Sequence, residues 1–249
     1  MRALTLLVAP CFAVAACGGS SSSSPSGSID APAADGAGSS TPGMLTLSGT
    51  AKEIAASGQT AIAGVVLTAY NAADDSVLGT ATSAADGAFS ITVNAGGAGI
   101  NGYLKARTPG TGTNAYKDSY LYPPTTLTTD YASVPVYVLK VSTYNLVNNI
   151  LLGNNQSAQN GWIALLVQDA AGAPVAGAAV TSAPMGQVNY NASNLPSTTP
   201  TVTAADGIAY DTNVTAGDVV VKATRTGTPF TMHSIKVRPD VVTLTLVTP

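Results

Sequence analysis

The stretch Ala84-Ala85-Asp86-Gly87-Ala88-Phe89-Ser90-Ile91-Thr92-Val93 decides how this chain folds. Asp-Gly favours a tight turn because glycine accepts the positive φ that such a turn requires. Apolar and polar residues then alternate with a period of two, which is typical of a strand with one buried face. We therefore predict a hairpin turn at Asp86-Gly87 and a strand after it, with Phe89 entering a core between two sheets.

The rest of the first half follows the same plan. Residues 45–50, 65–70 and 102–107 also alternate in large part. Clusters of turn residues separate these runs, as at 71–75 and 94–99. Short strands without helical patterns between them indicate an all-β sandwich.

The second half repeats this pattern. Ala205-Asp206-Gly207-Ile208-Ala209-Tyr210 mirrors Ala85-Asp86-Gly87-Ala88-Phe89, and Gly177 follows a turn as Gly64 does. The chain therefore has two related domains in tandem. We expect Phe89 and Tyr210 to occupy equivalent positions in their cores.

These paired motifs resemble a known domain family. The motifs are Ala63-Gly64-Val65-Val66-Leu67 with 85–89, and Ala176-Gly177-Ala178-Ala179-Val180 with 205–210. They resemble the carboxypeptidase regulatory-like domain, a transthyretin-like β-sandwich. The resemblance covers most of 44–140 and 158–249, and implies two tandem transthyretin-like or immunoglobulin-like sandwiches. Modules of that family are usually noncatalytic, although a fold alone does not establish a function.

Between the two halves, residues 141–157 favour a helical connector. Ser142 can cap a helix, Gly153 can end it, and one face is apolar. That face consists of Leu146, Val147, Ile150 and Leu151. The connector either packs across one sandwich, or fixes the two domains so that the cleft between them becomes a binding surface.

The amino terminus predicts export and a lipid anchor. Residues 1–16 form an apolar leader with one positive charge, too short to span a bilayer, which is typical of a signal peptide. Val14-Ala15-Ala16-Cys17 resembles the lipobox of bacterial lipoproteins. The resemblance implies that the leader is removed and that Cys17 is acylated. The alternative is an ordinary secretory peptide with an incidental cysteine.

Residues 17–43 predict a linker between this anchor and the folded part. The segment consists mainly of Ser, Gly, Ala and Pro, with too few large apolar groups to offset the entropy of ordering. We expect it to be disordered and to hold the folded part clear of the membrane. Gly18, rather than an acidic residue, follows Cys17 and favours the outer membrane by analogy with Gram-negative lipoproteins.

Composition argues against several function classes. The 249 residues carry 10 Lys and Arg against 13 Asp and Glu, without a basic cluster, so nucleic acid is not an expected partner. Cys11 would be lost with the leader and Cys17 would carry lipid, so the single histidine His233 cannot complete a usual zinc site, and we expect no metal and no cofactor. Asp74-Asp75 or Asp86 could contribute to a calcium site, but carboxylates of turns are the better interpretation.

Catalytic residues are sparse as well. His233 could form a triad with a serine and either Asp240 or Asp218. No Gly-x-Ser-x-Gly elbow marks a nucleophile, so a small serine hydrolase is the weaker alternative and we expect no enzyme.

Tyrosines are the best candidates for recognition. Tyr116, Tyr120 and Tyr122 lie in 114–124, a segment with weak periodicity and a double proline. On a loop, such rings can stack on sugars or anchor a protein partner. Alternatively, Tyr120 and Tyr122 lie on an edge strand and cover the core. Trp162 opens a strand, and we expect it to lie in the core.

Together these features predict a noncatalytic, lipid-anchored binding or adhesion module of the bacterial cell envelope. Its expected partners are the membrane, through the lipid, and a polysaccharide or an envelope protein. The alternatives are a structural spacer without a ligand and the serine hydrolase.

Overall fold

The computed structural model of this protein describes residues 43–55, 58–112 and 115–249. The predicted leader, Cys17 and the linker up to residue 42 lie outside these residues. Within the described ranges, no helix combines the length and the apolarity needed to cross a bilayer.

The described chain is built almost entirely from short strands. The first half contains β1 (Met44–Ala55), β2 (Gly58–Ala61), β3 (Val66–Asn71), β4 (Val77–Thr82), β5 (Ala88–Asn94), β6 (Gly102–Arg107), β7 (Tyr116–Lys117), β8 (Ser119–Tyr122) and β9 (Tyr131–Lys140). The helix α1 (Val141–Leu152) follows directly. The second half contains β10 (Asn160–Val167), β11 (Ala179–Ala183), β12 (Gln187–Ala192), β13 (Leu195–Ser197), β14 (Ile208–Thr215), β15 (Gly217–Thr224), β16 (His233–Val237) and β17 (Val242–Val247).

Both halves use the same strand pairing. In the first half β1 pairs antiparallel with β5 and parallel with β9. In the second half β10 pairs antiparallel with β14 and parallel with β17. The opposite sheets also correspond, because β3 pairs with β6 as β11 pairs with β15. The chain is therefore two tandem β-sandwiches, with α1 as a short helical connector.

The two sandwiches share a sheet, which the sequence analysis did not predict. A nine-stranded sheet runs in the order β13-β12-β14-β10-β17-β8-β6-β3-β4. Its two parts meet where β8 of the first half pairs in parallel with β17 of the second, with Leu121 opposite Leu244. Backbone hydrogen bonds therefore continue from one sandwich into the other.

The two main cores lie on opposite faces of this shared sheet. Leu104 and Leu121 point into the core of the first half, whereas their neighbours Tyr103 and Tyr122 join the core of the second. This follows from the alternation of side chains along a strand. The part of the sheet that comes from the first half is consequently buried on both faces near the junction.

The two Asp-Gly turns have the same geometry. Gly87 and Gly207 have φ angles of +77° and +68°, as expected for these turns. A Cβ atom on either glycine would lie 2.5 Å from a backbone oxygen, that of Ala51 or Val167 respectively. Both turns thus require glycine for its φ and for the close approach of the neighbouring strand.

The expected equivalence of Phe89 and Tyr210 is wrong. Phe89 stands two residues after its turn glycine and packs between the sheets of the first sandwich. The residue two places after Gly207 is Ala209, which lies in the second-half core, whereas Tyr210 packs against Trp162 on the opposite face. Because side chains alternate with a period of two, the offset of one residue moves the ring to the other side.

Helix α1 also differs from its predicted pattern. The residue at its amino-terminal cap is Lys140, not Ser142, and no side chain caps this end, whereas Gly153 ends the helix in the left-handed conformation as expected. The buried face comprises Tyr144, Val147, Asn148 and Leu151. Leu146 and Ile150 are exposed instead. The buried face packs beside Trp162, Ile208 and Tyr210 on the outer face of the shared sheet.

Candidate functional site

The structure buries two of the three tyrosines predicted to form a recognition loop. Tyr120 and Tyr122 lie in β8 with exposed fractions of only 8% and 5%. Because β8 pairs with β6 on one side and β17 on the other, it is an internal strand of the sheet and not a loop or an edge. The interpretation of these two residues as exposed ligand contacts is therefore wrong. Tyr116 is half-buried in β7, where its hydroxyl donates to Glu53 Oε2 at 2.5 Å.

The buried tyrosines belong to an aromatic cluster between the two halves, here called the seam. Its members are Tyr70, Tyr103, Tyr120, Tyr122 and Arg238. Tyr103 stacks on both Tyr70 and Tyr122, with ring centroids 5.1 Å apart in each pair. All four tyrosines come from the first half, and Arg238 comes from the second.

Arg238 joins the two halves through several contacts. Its guanidinium carbon lies 4.5 Å from the ring centroid of Tyr103 and 4.3 Å from that of Tyr120. Nη1 donates a hydrogen bond of 2.9 Å to the hydroxyl of Tyr122. Cation–π contacts contribute about 0.5–2 kcal/mol each, and more when the cation is desolvated. The seam therefore stabilises one relative orientation of the two sandwiches.

Asp75 completes the seam at its solvent side. Its carboxylate accepts hydrogen bonds from Tyr103 Oη at 2.9 Å and Lys236 Nζ at 3.1 Å. The hydrogen bond from Lys236 and then that from Tyr103, together with the nearby charge of Arg238, hold the pKa of Asp75 below its usual range. Asp75 thus belongs to a contact between the halves. The positive side chains of Lys236 and Arg238 lie beside its carboxylate, where a calcium ion would need further oxygen ligands.

Other acidic candidates for a calcium site belong to turns. Asp74 accepts from the backbone and the hydroxyl of Ser76, and Asp86 accepts from the backbone of Ala88. Among the residues that the structure describes, no three His, Cys, Asp or Glu side chains form a group able to hold a metal ion.

His233 has a structural environment. Its Nε2 lies 2.7 Å from Thr245 Oγ1, and that hydroxyl donates its own hydrogen to the carbonyl oxygen of Tyr122. Burial lowers the pKa of His233 and so favours the neutral ring. Asp240, one of the two aspartates considered for a triad, pairs instead with Lys117 Nζ at 2.5 Å.

An apolar groove lies on the opposite face of the shared sheet, beside α1. It encloses about 880 Å³ open to solvent, between β9 and the part of the shared sheet contributed by the second half. Trp162, Leu166 and Leu244 form its floor, with Tyr137 and Val147 beside them. Trp162 is buried as expected, with an exposed fraction of 2%. The groove offers mainly carbon surface and so suits apolar groups.

Sequence reasoning missed Arg238 because no local motif marks it. The signal that could have revealed the seam is the placement of tyrosines at alternating positions on strands otherwise rich in small or aliphatic residues. Tyr103 and Tyr122 follow this placement, but their partner lies more than a hundred residues away in the chain. Only the pairing of β8 with β17 brings these residues together.

Comparison with known proteins yields structural similarity alone. The chain matches no protein-family model and no curated protein, so the resemblances to the carboxypeptidase regulatory-like domain and to lipoproteins stay predictions. It is similar to the solved Bacillus anthracis TIE protein, with 14% identity and a TM-score of 0.27 over 82% of this chain and 34% of that one. It is also similar to the shaft pilin spaA from Lactobacillus rhamnosus GG (12% identity, TM-score 0.28, 83% of this chain and 98% of that one). The minor pilin from Streptococcus agalactiae matches with 14% identity and a TM-score of 0.26, over 82% of this chain and 95% of that one. The chain spans about a third of the TIE protein chain and nearly all of the two pilin chains.

Proposed function

We propose that this protein is a noncatalytic, lipid-anchored module of the bacterial cell envelope that binds or adheres to an envelope polysaccharide or protein. The apolar leader and the lipobox-like residues before Cys17 support the anchor. The Ser- and Gly-rich linker supports a folded body held clear of the membrane. The outer membrane is the proposed location.

The observation that best supports this function is the sheet shared by the two sandwiches. Backbone pairing of β8 with β17 and the contacts of Arg238 make the halves a single body. A single body can hold all parts of a binding surface in one fixed arrangement, and it can transmit force without a hinge between its halves. Both properties suit an adhesion or envelope module.

The anchor is tested by replacing Cys17→Ser. The wild-type protein is expected to partition into the detergent phase, and mass spectrometry of its amino-terminal peptide should detect acyl chains on Cys17. The variant should be soluble or should retain its leader. An unmodified Cys17 in the envelope fraction of wild-type cells would contradict the proposal.

A structural spacer without a ligand is the second candidate, and the burial of Tyr120 and Tyr122 favours it. Retention of purified envelope polysaccharide or envelope proteins on the immobilised protein distinguishes the two candidates. Binding supports the module, whereas the spacer predicts no retention. The His233→Ala variant addresses the hydrolase alternative: any hydrolytic activity of the wild-type protein should survive in it, because His233 has a structural role.

A further inference from the structure

The apolar groove beside α1 is accessible from the surface of the molecule. Its wall residues Ile54, Tyr137 and Thr143 and its floor residues Leu166 and Leu244 are half-buried, so part of each side chain faces the groove. Its volume of about 880 Å³, which is open to solvent, lies within the range of about 300–1,000 Å³ that small-molecule sites occupy. A ligand can therefore enter without any opening of the core.

Exposed apolar side chains of α1 extend this surface beyond the groove. Thr143 and Val147 line the groove, and Leu146 and Ile150 lie three residues after them on the same side of the helix. Leu146 and Ile150 are 41% and 42% exposed. Apolar surface thus continues from the floor of the groove onto the outside of α1, and a contiguous exposed apolar patch is typical of a binding site.

The floor of the groove offers a ligand no free backbone groups. β10, β14 and β17 are internal strands of the shared sheet and pair on both sides. In the wall, Pro135 of β9 has no N–H to donate, and none of the described residues that line the groove is charged. A polypeptide segment would bring N–H and C=O groups that need partners, whereas a hydrocarbon chain brings none. The groove therefore favours an acyl chain over a peptide.

The chain that precedes β1 brings such an acyl chain within reach. β1 begins at Met44 and lines the groove with Ile54, about 33 Å further along the strand. Residues 18–43 connect Cys17 to Met44. A chain of 26 residues can span at most about 90 Å, so its length exceeds the distance to the groove. Lipid on Cys17 can consequently reach the groove of its own molecule.

We propose that the apolar groove binds one acyl chain of Cys17 of the same molecule when the protein is outside a bilayer. In a membrane the acyl chains are already removed from water, so the bilayer competes with the groove for them. In water, each methylene that the groove buries favours docking, and the cost of closing the connecting loop grows only slowly with its length. This inference rests on the lipid anchor of the proposed function and gives that lipid a second binding place.

The test uses Trp162, the only tryptophan of the chain, which lies in the floor of the groove. Cys17 is the only cysteine of residues 17–249, because Cys11 belongs to the predicted leader, and it can therefore be alkylated alone. The probe is a dibrominated hexadecyl chain joined to Cys17 as a thioether. Bromine quenches tryptophan fluorescence only near contact, so docking in detergent-free buffer should quench most of the emission seen with a plain hexadecyl chain.

Substitutions inside and outside the groove show where the chain docks. Ala164→Phe fills the groove beside Trp162, and Leu166→Gln makes its floor polar, so both should restore the emission. Val220→Phe places the same ring on an exposed position of β15 outside the groove and should leave the quenching as in wild type. Melting curves of all three variants verify that each is folded.

Competition with a bilayer is tested by adding plain phosphatidylcholine vesicles to the alkylated protein. The vesicles should take up the hexadecyl chain and restore the emission of Trp162. Emission that stays quenched would contradict the proposed competition.

Three further results would overturn the inference. The first is equal emission from the brominated and the plain forms. The second is quenching that rises with protein concentration, which would mean that the chain enters the groove of another molecule. The third is equal quenching of the unalkylated Cys17→Ser protein by vesicles of dibrominated phosphatidylcholine, which would make membrane lipid the occupant.

Failure of the groove and failure of the anchor give different results. The probe is attached chemically, so docking is measured independently of acylation in cells. An unquenched Trp162 removes the groove and leaves the anchor, which mass spectrometry of Cys17 tests separately. An unmodified Cys17 in cells overturns the anchor and this inference together.

Discussion

Single residues make the two Asp-Gly turns possible, Gly87 in the first half and Gly207 in the second. Each glycine donates its N–H across the turn, to Ala84 O at 2.9 Å and to Ala204 O at 3.1 Å respectively. Each also lies directly against the backbone of the next strand. Two independent demands, a positive φ and a close approach, thus coincide at the same residue in each half.

Replacing Gly87→Ala or Gly207→Ala should therefore be costly. The left-handed conformation costs a non-glycine residue about 1–2 kcal/mol, and relieving the overlap with the carbonyl oxygen adds about 1–3 kcal/mol. The matched control is Gly64→Ala, which has a similar φ of +76° but open space around its Cβ position. For Gly64→Ala, chemical denaturation should show a loss of only about 1–2 kcal/mol in the free energy of unfolding, the cost of the left-handed conformation. Equal losses in all three variants would contradict the proposed role of the close approach.

Truncation of the tyrosines of the seam should also lower stability. Tyr120→Ala and Tyr122→Ala should each destabilise the fold by about 3–5 kcal/mol, as truncations of buried aromatic rings do. Tyr122→Phe loses only the hydrogen bonds of the hydroxyl, from Arg238 and to Lys236 O, and should cost about 1–2 kcal/mol. Losses within about 0.5 kcal/mol in the alanine variants, typical of exposed positions, would restore the interpretation of these rings as surface contacts.

The buried carboxyl group of Asp211 should make the stability of the fold depend on pH. The residue is fully buried in β14, and burial raises the pKa of its carboxyl group from 3.8 to about 6, against the opposing hydrogen bonds from Ser182 and Gly186. A raised pKa favours the protonated form in the folded state. The resulting stabilisation is fully present below about pH 4 and is lost as the pH rises through 6.

Asp211→Asn should remove this dependence. The amide can donate to Ser182 Oγ, because that hydroxyl also has Pro184 O as an acceptor. Urea unfolding should show that the wild type loses on the order of 2–3 kcal/mol between pH 4 and pH 7 relative to the variant. Parallel pH profiles of the two proteins would contradict the assignment.

At the scale of elements, α1 shows how packing selects the buried face of a helix. Its apolar residues cover more than one side, and contacts with the shared sheet decide which side is buried. Tyr144 meets Trp162 edge to face, with centroids 5.1 Å apart, and Trp162 in turn stacks on Tyr210 at 5.8 Å. The helix therefore covers an outer sheet face that would otherwise expose aromatic rings.

This packing distinguishes two pairs of substitutions on the helix. Val147→Ala and Leu151→Ala remove buried side chains, and Leu151→Ala should cost about 2–5 kcal/mol, with a smaller loss for valine. Leu146→Ala and Ile150→Ala lie on the exposed side and should change stability by less than about 0.5 kcal/mol. The melting temperatures of the four variants show which face of the helix is buried. Comparable losses in both pairs would mean that the predicted face, not the observed one, is buried.

At the scale of the whole molecule, the continuous sheet couples the two sandwiches. Separation of the halves would break the pairing of β8 with β17 and expose the tyrosines of the seam. The cost of separation therefore includes hydrogen bonds, aromatic burial and the contacts of Arg238. Tandem domains joined by a linker alone would lack this coupling.

The halves should consequently unfold together in a single transition. The only tryptophan, Trp162, reports on the second half by fluorescence, and hydrogen exchange in β6 reports on the first. Both probes should follow the same denaturant curve, as a two-state transition requires. Arg238→Ala should shift both midpoints downward by the same amount. A separate, earlier transition for either probe would contradict the coupling.

The sequence by itself determined the class of the fold. The all-β assignment with two tandem sandwiches and a short helical connector is confirmed, because period-two alternation and Asp-Gly turns are local signals. They depend on the backbone geometry of a few adjacent residues and need no knowledge of distant partners. The turns at Gly87 and Gly207 belong to this part.

Only the tertiary structure decided which faces of the strands are buried and against what. The alternation of Tyr120 and Tyr122 is typical of a strand with one exposed face. Yet β17 pairs beside β8 and Arg238 contacts Tyr122, and together they bury the ring. Tyr210 lies on the opposite face from the one that local similarity to Phe89 suggested. Partners more than a hundred residues apart in the chain decide such contacts, and local periodicity shows that a strand has two faces without showing what covers them.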